Sequence, residues 1–540
     1  MIFWRNAVWQ QSYSPLGGSL AFSAAAAALP VLTLLVLLGI LRKPAWVASL
    51  AGLATAALVA LAAYGMPPGL VVSSALYGAA YGLMPIGWIV FTAMLLYRLT
   101  VETGKFEIIK DSVASLTGDQ RLQALLIAFA FGAFIEGAAG FGTPVAVAAA
   151  MLTGLGFAPF FAASICLLAN TSPVAFGSIA TPLITLQAVT GLPMSSLSAN
   201  TGRICAPISL FIPAYLVLVM GGVTGLRAVL PAAAVCGIVF AGAQFLVSNY
   251  VGPYLTDILG SLLALVALVA LLKVWKPAGT IRPAPHRHTR GNVLLAWAPY
   301  GCLVVIVLLW GVDAVKVWLN HGTIAFAWPG LHNQIMRVTP VVTKPSPYGA
   351  IYTLNLLSAS GTSCLFAVFA AAIILRVSPL DLARWTWATA VQLALPMLTI
   401  ASVVGLAYLM NYSGATGTLG LAFAGTGVMF PFFSPLLGWL GVFLTGSDTS
   451  ANALFGPLQV VTANRLGLNS VLMAAANSSG GVVGKMISLQ NIAVAAAATG
   501  MRQSEEGNLF RFTLRHSVFL AVVVGAITMF YAYWGQGLVR

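Results

Sequence analysis

The chain has 540 residues, of which 60% are hydrophobic and 7% are charged, and its mean hydropathy is +0.96. A soluble domain carries roughly 25% charged residues, so this composition excludes soluble, disordered and fibrous proteins. Long apolar runs also exclude a β-barrel, whose strands are short and alternate in polarity. Because a bilayer crossing takes about 20 apolar residues, we expect an all-α, polytopic integral membrane protein with about 12–14 transmembrane helices.

The formal net charge is +14, from 25 Lys and Arg residues against 11 Asp and Glu residues. The basic residues form short clusters between apolar runs, which is typical of cytoplasmic loops and not of a nucleic-acid-binding surface. The cysteines and histidines show no metal-ligand spacing, and the sequence contains no phosphate-binding loop for ATP. We therefore expect no metal, no cofactor and no nucleic-acid partner.

Uninterrupted apolar runs predict the simple spanning helices. These runs are 20–41, 45–64, 70–97, 205–222, 227–248, 254–273, 292–312, 349–375, 386–410 and 516–534. Arg42 and Lys43 follow the first run, so the positive-inside rule places the first loop in the cytoplasm. The proline-containing segment 313–348 then falls outside the cell, and it divides the chain into two transmembrane halves, 1–312 and 349–540.

Two further stretches, 122–195 and 430–500, are apolar but are repeatedly interrupted by Gly, Pro, Asn and Ser. They do not read as simple spans. All the basic loops lie on the cytoplasmic side, as the positive-inside rule requires, only if each stretch contributes one re-entrant hairpin and one net crossing. We expect the hairpins near residues 125–155 and 436–465.

The two interrupted stretches resemble each other. Residues 132–137 align with 441–446, and about thirty residues later Asn170-Thr171-Ser172 aligns with Asn477-Ser478-Ser479. Because the two stretches enter the membrane from opposite sides, they predict an inverted repeat with broken helices, which is common in secondary transporters. We expect the hairpin tips to meet helix breaks at 170–173 and 477–481.

Two carboxyl residues, Glu136 and Asp448, lie at membrane depth in these stretches. A bare carboxylate there costs several kcal/mol, so it must be paired, protonated or in a water-filled cavity. Either residue could carry a coupling proton. Asp448 could instead cap a half-helix, since hydroxyl residues surround it. Glu136 has few side-chain donors nearby, so it is the better candidate for the coupling proton.

The two breaks expose backbone N–H groups and hydroxyls that can hold a carboxylate, although neighbouring helices could also satisfy them. Two isolated cations could pair with an anionic substrate. Alternatively, Lys485 neutralises one of the two buried carboxylates, and Arg203 extends to the membrane interface. The candidate substrate-binding residues are Asn170, Thr171, Ser172, Asn477, Ser478, Ser479, Lys485 and Arg203.

These motifs closely resemble those of the L-lactate permease family. The matching segments are 136–142, 170–177, 438–450 and 476–488, and the similarity runs from near residue 20 to the C-terminus. The resemblance implies proton symport of lactate, and often glycolate, across the bacterial cytoplasmic (inner) membrane. More distantly, the chain resembles carboxylate transporters of the ion transporter superfamily. That resemblance implies paired re-entrant hairpins, an elevator-type movement and, by analogy, a homodimer.

The leading hypothesis is a proton-coupled symporter of L-lactate and related short 2-hydroxy monocarboxylates, including D-lactate and glycolate. Its expected partners are the substrate, protons and the lipid bilayer. A sodium-coupled carboxylate carrier of the same architecture is the alternative, since amide and hydroxyl oxygens at the two breaks could bind a cation. A membrane-embedded enzyme is a remote third hypothesis, because the usual catalytic motifs are missing.

Overall fold

The computed structural model describes residues 8–140, 142–277, 288–502 and 505–539. Nearly all regular structure in these residues is helical. The helices of the first half are α1 (Leu20–Ile40), α2 (Ala45–Ala62), α3 (Pro68–Glu102), α4 (Lys105–Ala114), α5 (Gln120–Ala138), α6 (Thr143–Gly154), α7 (Pro159–Ala169), α8 (Val174–Thr190), α9 (Met194–Tyr250), α10 (Thr256–Val274) and α11 (Arg290–Gly311). The later helices are α12 (Asp313–Asn320), α13 (Ser360–Ile374), α14 (Pro379–Ser413), α15 (Ala415–Thr445), α16 (Asp448–Leu466), α17 (Ser470–Ile487), α18 (Leu489–Thr499) and α19 (Glu506–Tyr533).

Within the described residues, ten helices are long and apolar enough to cross a membrane, or up to twelve if each of two bent pairs counts as one span. The bent pairs are α7 with α8, at 66°, and α17 with α18, at 43°. The prediction of a multi-pass helical membrane protein is therefore confirmed, but the ten to twelve candidate spans in the described residues reach only the lower limit of the predicted 12–14.

The predicted limits of several spans need correction. Runs 205–222 and 227–248 both belong to α9, which extends over 57 residues from Met194 to Tyr250 and is interrupted at Gly222, where φ is 61°. At about 1.5 Å per residue this element far exceeds a hydrocarbon core about 30 Å thick. The two parts of α9 are thus separate helices joined at Gly222, as the two predicted runs indicate, and the main correction is that the first helix begins at Met194 instead of residue 205.

In the part of the chain that the structure describes, five short strands lie outside the helices: β1 (Trp9–Gln10), β2 (Ile324–Ala327), β3 (Ile335–Arg337), β4 (Ser346–Pro347) and β5 (Ile351–Leu354). β3 pairs with β1 in parallel and with β4 in antiparallel register, and β2 pairs with β5. The predicted run 349–375 therefore begins as a strand, and its helix starts only at Ser360. The segment 313–348, predicted to be non-helical, contains the short helix α12.

Burial separates the interior helices from the peripheral ones. In α5, 94% of the most apolar window is buried inside the protein, whereas the corresponding value is 28% in α1 and in α11. An apolar helix that is mostly exposed faces lipid in a membrane protein. Helix α5 therefore lies in the interior, where it packs against α10 and the first bent pair.

Both halves contain the same succession of broken helices. In the first half α5 and α6 are separated by a turn in which Gly140 and Gly142 have φ values of 65° and 79°, and in the second half α15 and α16 are separated at Gly446, where φ is 72°. Each of these pairs is followed by one of the two bent pairs. Glycine adopts positive φ values without steric cost because it has no Cβ atom, which explains the glycines at these turns. Re-entrant entry and an inverted relation between the halves stay predictions.

The predicted helix break at 477–481 is wrong, because α17 continues as an α-helix to Gly484. The glycines in this helix serve close packing. A Cβ atom on Gly480 would overlap the carbonyl group of Pro435, and one on Gly438 would overlap that of Asn477. Small residues allow helix backbones to approach closely in membranes. The bend follows at Lys485–Ile487, a turn of 3-10 helix.

Substituting Gly480 tests this packing. Gly480→Ala places a methyl group against the backbone of α15, and overpacking costs typically 1–3 kcal/mol. We expect a lower thermal unfolding midpoint for the purified protein in detergent. Gly242→Ala in α9 is the control, since a Cβ there meets nothing within 4 Å. Equal midpoints for the two variants would contradict the close approach of α15 and α17.

Candidate functional site

A buried ion pair connects the two halves of the chain. Nζ of Lys485, at the end of α17, lies 2.6 Å from Oε1 of Glu136, near the end of α5, and their side chains are only 8% and 4% exposed. The second oxygen of Glu136 accepts a hydrogen bond of 2.9 Å from Nδ2 of Asn170. A Cβ atom on Gly177 would lie 2.6 Å from Oε1 of Glu136. A larger residue at this position would therefore displace the Glu136 carboxylate.

The second buried carboxyl, Asp448, is the first residue of α16. Its Oδ2 accepts hydrogen bonds from the hydroxyl of Ser478 at 2.6 Å and from Nδ2 of Asn452 at 3.4 Å. Its Oδ1 is buried without a hydrogen-bond partner among the described residues. The capping role considered for Asp448 belongs to Ser447, whose side chain accepts from the backbone N–H of Ser450.

The polar residues of α17 have different partners. Asn477 accepts at 3.0 Å from Gln459 and donates at 3.0 Å to Asn452, so it connects α17 to α16. The Ser479 hydroxyl donates to the carbonyl of Ala475 within its own helix. Of these three residues, only Ser478 contacts a candidate proton-coupling residue. In this conformation Asn477 joins two helices and Ser479 bonds within its own helix.

At the first break the structure leaves oxygens unpaired. Oδ1 of Asn170 and the hydroxyl oxygens of Thr171 and Ser172 are buried and have no hydrogen-bond partner in the described part of the chain. The backbone carbonyl of Ser172 accepts from Nε2 of Gln244 at 3.0 Å. A buried polar atom without a partner costs about 1–3 kcal/mol, so these oxygens are available to a ligand or a cation.

A cavity of about 260 Å³ lies between the broken helices and α1, α2 and α14. Glu136, Asp448 and Lys485 all line it, and Lys485 is its only cationic side chain in the described structure. The other polar residues of the lining are Ser49, Ser178, Thr181, Thr399, Thr445, Ser447, Thr449, Ser450, Gln490 and Asn491. The candidates at 170–172 and 477–479 are not among the lining residues. The arrangement can therefore offer a small anion one cation and several hydroxyl and amide groups.

The wall of the cavity contains strained backbone. Ser178, Ile179 and Ala180 have φ values of 46°, 54° and 60°. The left-handed region costs non-glycine residues roughly 1–2 kcal/mol each, and such conformations cluster at functional sites. The strain turns the chain between the break at 170–173 and the rest of α8, and it brings Ser178 to the cavity.

Arg203 is not brought to the cavity. Its Nε donates to Oδ1 of Asn249 at 2.8 Å, and its guanidinium also donates to the backbone carbonyl of Leu538. These contacts attach α9 to the C-terminal segment. The structure therefore places Arg203 apart from Lys485, and we do not propose it as a substrate ligand.

Asp257, in the first turn of α10, was not predicted as a site residue. Its side chain is buried and neither carboxyl oxygen has a hydrogen-bond partner among the described residues. A Cβ atom on Gly137 would lie 2.9 Å from Cβ of Asp257, so Asp257 packs against the residue that follows Glu136 in α5. A lone acidic residue inside an apolar span is a signal of function, and the predicted span 254–273 contained it.

The chain was compared with known proteins, and residues 23–535 match the L-lactate permease family. The chain belongs to this family. It is 46% identical over 555 residues to the L-lactate permease of Bacillus subtilis (strain 168), with 96% of this chain and 98% of that protein covered. It is 44% identical over 556 residues to the glycolate permease GlcA of Escherichia coli (strain K12), with 98% and 99% covered.

The crystal structure of the Alcanivorax borkumensis YdaH transporter is a distant likeness, with 15% sequence identity and a TM-score of 0.45 over 86% of this chain and 89% of that chain. It is too distant to support an argument about this site. The relatives are permeases, so the expectations of this family and of a transporter instead of an enzyme are confirmed.

The energetic importance of the ion pair can be tested by removing its charges singly and together. Lys485→Met leaves a buried carboxylate unpaired, and breaking a buried pair in this way costs about 3–5 kcal/mol. We expect a lower thermal midpoint for Lys485→Met and substantial recovery in Lys485→Met combined with Glu136→Gln. Lys316→Met, at an exposed position of α12, serves as the control. A double variant as unstable as the single one would show that the pair does not hold the two halves together.

Proposed function

We propose that this permease carries L-lactate and related short 2-hydroxy monocarboxylates, including D-lactate and glycolate, together with a proton across the bacterial cytoplasmic membrane. The observation that carries the proposal is the ion pair between Lys485 and Glu136 in the wall of the cavity. The names of the relatives, L-lactate permease and glycolate permease, support the substrate class.

Charge balance supports coupling to a proton. Lys485 is the one cation of the described cavity lining, and Glu136 already neutralises it. An incoming carboxylate that binds Lys485 displaces Glu136 and leaves a buried, unpaired carboxylate, whose desolvation is costly. If Glu136 takes a proton, the site stays neutral with the substrate bound. One proton therefore enters with each monocarboxylate anion.

The remaining lining accounts for the 2-hydroxy acid. Ser178, Thr181 and Asn491 offer hydrogen bonds for a hydroxyl group next to the bound carboxylate. Leu38 and Val174 are apolar lining residues that suit the methyl group by which lactate exceeds glycolate. One added methyl group changes binding by only about 1–3 kcal/mol, so a single site can accept both acids.

Sodium coupling is the second candidate function. It is favoured by the unpaired buried oxygens of Asn170, Thr171 and Ser172, which lie on consecutive residues. Oxygen ligands suit hard cations such as sodium. Against it, Asn477 is occupied by protein partners.

Imposed gradients separate the two couplings. Proteoliposomes containing the purified protein are given labelled lactate with either a pH gradient or a sodium gradient. We expect accumulation with an inwardly directed proton gradient and none with sodium alone. Accumulation driven only by sodium would replace the proton proposal with the second candidate.

Glu136→Gln tests the proposed proton carrier. Glutamine resembles the protonated carboxyl and leaves Lys485 free for the substrate. We expect loss of uphill, proton-driven uptake with retained exchange of labelled for unlabelled lactate. The matched control is Glu107→Gln, whose carboxylate is 66% exposed in an ion pair with Lys110. Unchanged uphill uptake in Glu136→Gln would move the coupling site to another residue, with Asp448 next.

The movement of the carrier and its assembly follow from the resemblance alone. An elevator-type movement would carry the broken helices and the cavity as one unit. A homodimer would anchor the remaining helices. Cross-linking of the purified protein in proteoliposomes is expected to give a dimer, and a monomer that transports lactate would contradict that part of the proposal.

A further inference from the structure

Asp257 is a buried carboxyl that the proposed coupling scheme does not use. It is 1% exposed, lies in the first turn of α10, and has no hydrogen-bond partner for either oxygen in the described structure. It is not among the lining residues of the 260 Å³ cavity. An acidic side chain placed so deeply without a partner is costly, and such residues in membranes are functional by default.

The charged and titratable neighbours of Asp257 are few. Helix α10 packs against α5 and α9. From α5 comes Glu136, and Lys485 of α17 is also within electrostatic range of Asp257. From α9 comes the Cys205 thiol, which interacts electrostatically with Asp257. The part of α5 before Glu136 that contacts α10 is apolar.

One cation, Lys485, therefore lies near more than one buried carboxyl and can neutralise only one of them. Lys485 contacts Glu136 at 2.6 Å and cannot neutralise Asp257 as well. An ionised Asp257 would be an unpaired charge in a low-dielectric interior, and it would also repel Glu136. The arrangement is electrically balanced when Asp257 is a neutral acid and Glu136 is the ionised partner of Lys485.

A second cavity of about 640 Å³ approaches Asp257 along the chain without reaching it. Leu255, two residues before Asp257, lines this cavity together with Tyr254 and several hydroxyl and amide side chains. Asp257 lines neither this cavity nor the substrate cavity, so its carboxyl is shielded from solvent in this conformation.

We propose that Asp257 is a pH-sensitive positioning residue, which must keep its proton for Lys485 to remain available to the substrate carboxylate. When alkaline solution removes that proton, the new carboxylate competes for Lys485 and weakens substrate binding. Ionisation of Asp257 then lowers the pH at which transport fails. This inference rests on the proposed role of Lys485 in binding the substrate.

The test measures lactate exchange at equal pH on both sides of the membrane, because exchange needs no proton gradient. For the wild-type protein we expect the rate to fall about tenfold per pH unit above its alkaline midpoint, as for loss of one proton. Asp257→Asn mimics the neutral acid and is expected to exchange lactate normally at neutral pH and to shift the alkaline midpoint to higher pH, with the remaining fall due to the proton that Glu136 must take up. Asp381→Asn, at a carboxylate that is 45% exposed, is the control.

Three results would overturn the inference: an unchanged alkaline fall in Asp257→Asn, a variant that folds but is inactive at every pH, or a wild-type rate that does not fall. Loss of proton coupling would abolish gradient-driven uptake, but it would leave the difference in alkaline exchange between the wild type and Asp257→Asn unchanged. The failure of this inference and the failure of the proposed function are therefore distinguishable. If Asp257→Asn does not fold, infrared spectroscopy of the wild type with labelled aspartate replaces it. A protonated carboxyl band that persists after exchange has stopped at alkaline pH would then contradict the proposal.

Discussion

The site depends on a shortage of positive charge. Lys485 is the one cation of the described cavity lining, and three buried carboxyls, Glu136, Asp257 and Asp448, lie within its electrostatic range. In a low-dielectric interior an unpaired charge is far more costly than at the surface. Only one carboxylate can therefore be ionised with the site neutral. A substrate anion can enter only if the carboxylate that it displaces is neutralised by a proton.

The packing of the broken helices places this charge set in the interior. Close contact of α15 and α17 at Gly438 and Gly480 positions Asp448 beside Ser478, and the turn after Ala138 ends α5 shortly beyond Glu136. The two buried carboxyls and the turn after α5 were predictable, because interruptions of an apolar run by Gly, Pro and carboxyl residues stand out in a sequence. The family, the helical membrane class and the break at 170–173 could be recognised for the same reason.

Other parts of the site could not be predicted, because they depend on contacts across the fold. A run of Ser and Gly is compatible with a break or with close helix packing, and only the position of Pro435 shows that Gly480 serves packing. Arg203 carries the positive charge expected of a substrate ligand, but its guanidinium donates to the backbone carbonyl of Leu538 in the C-terminal segment. Asp257 lies in an otherwise ordinary apolar span. Only the fold shows that it packs against Gly137, the residue after Glu136.

The central claim is that a bound monocarboxylate displaces Glu136 from Lys485 and that Glu136 then takes a proton. Proton uptake during lactate binding tests it most directly. Purified protein in weakly buffered detergent solution is mixed with lactate while a pH indicator records the change, and bound lactate is measured in parallel. The account predicts one proton taken up for each lactate bound by the wild type and none in Glu136→Gln. Lactate binding without proton uptake in the wild type, or equal uptake in the variant, would contradict it.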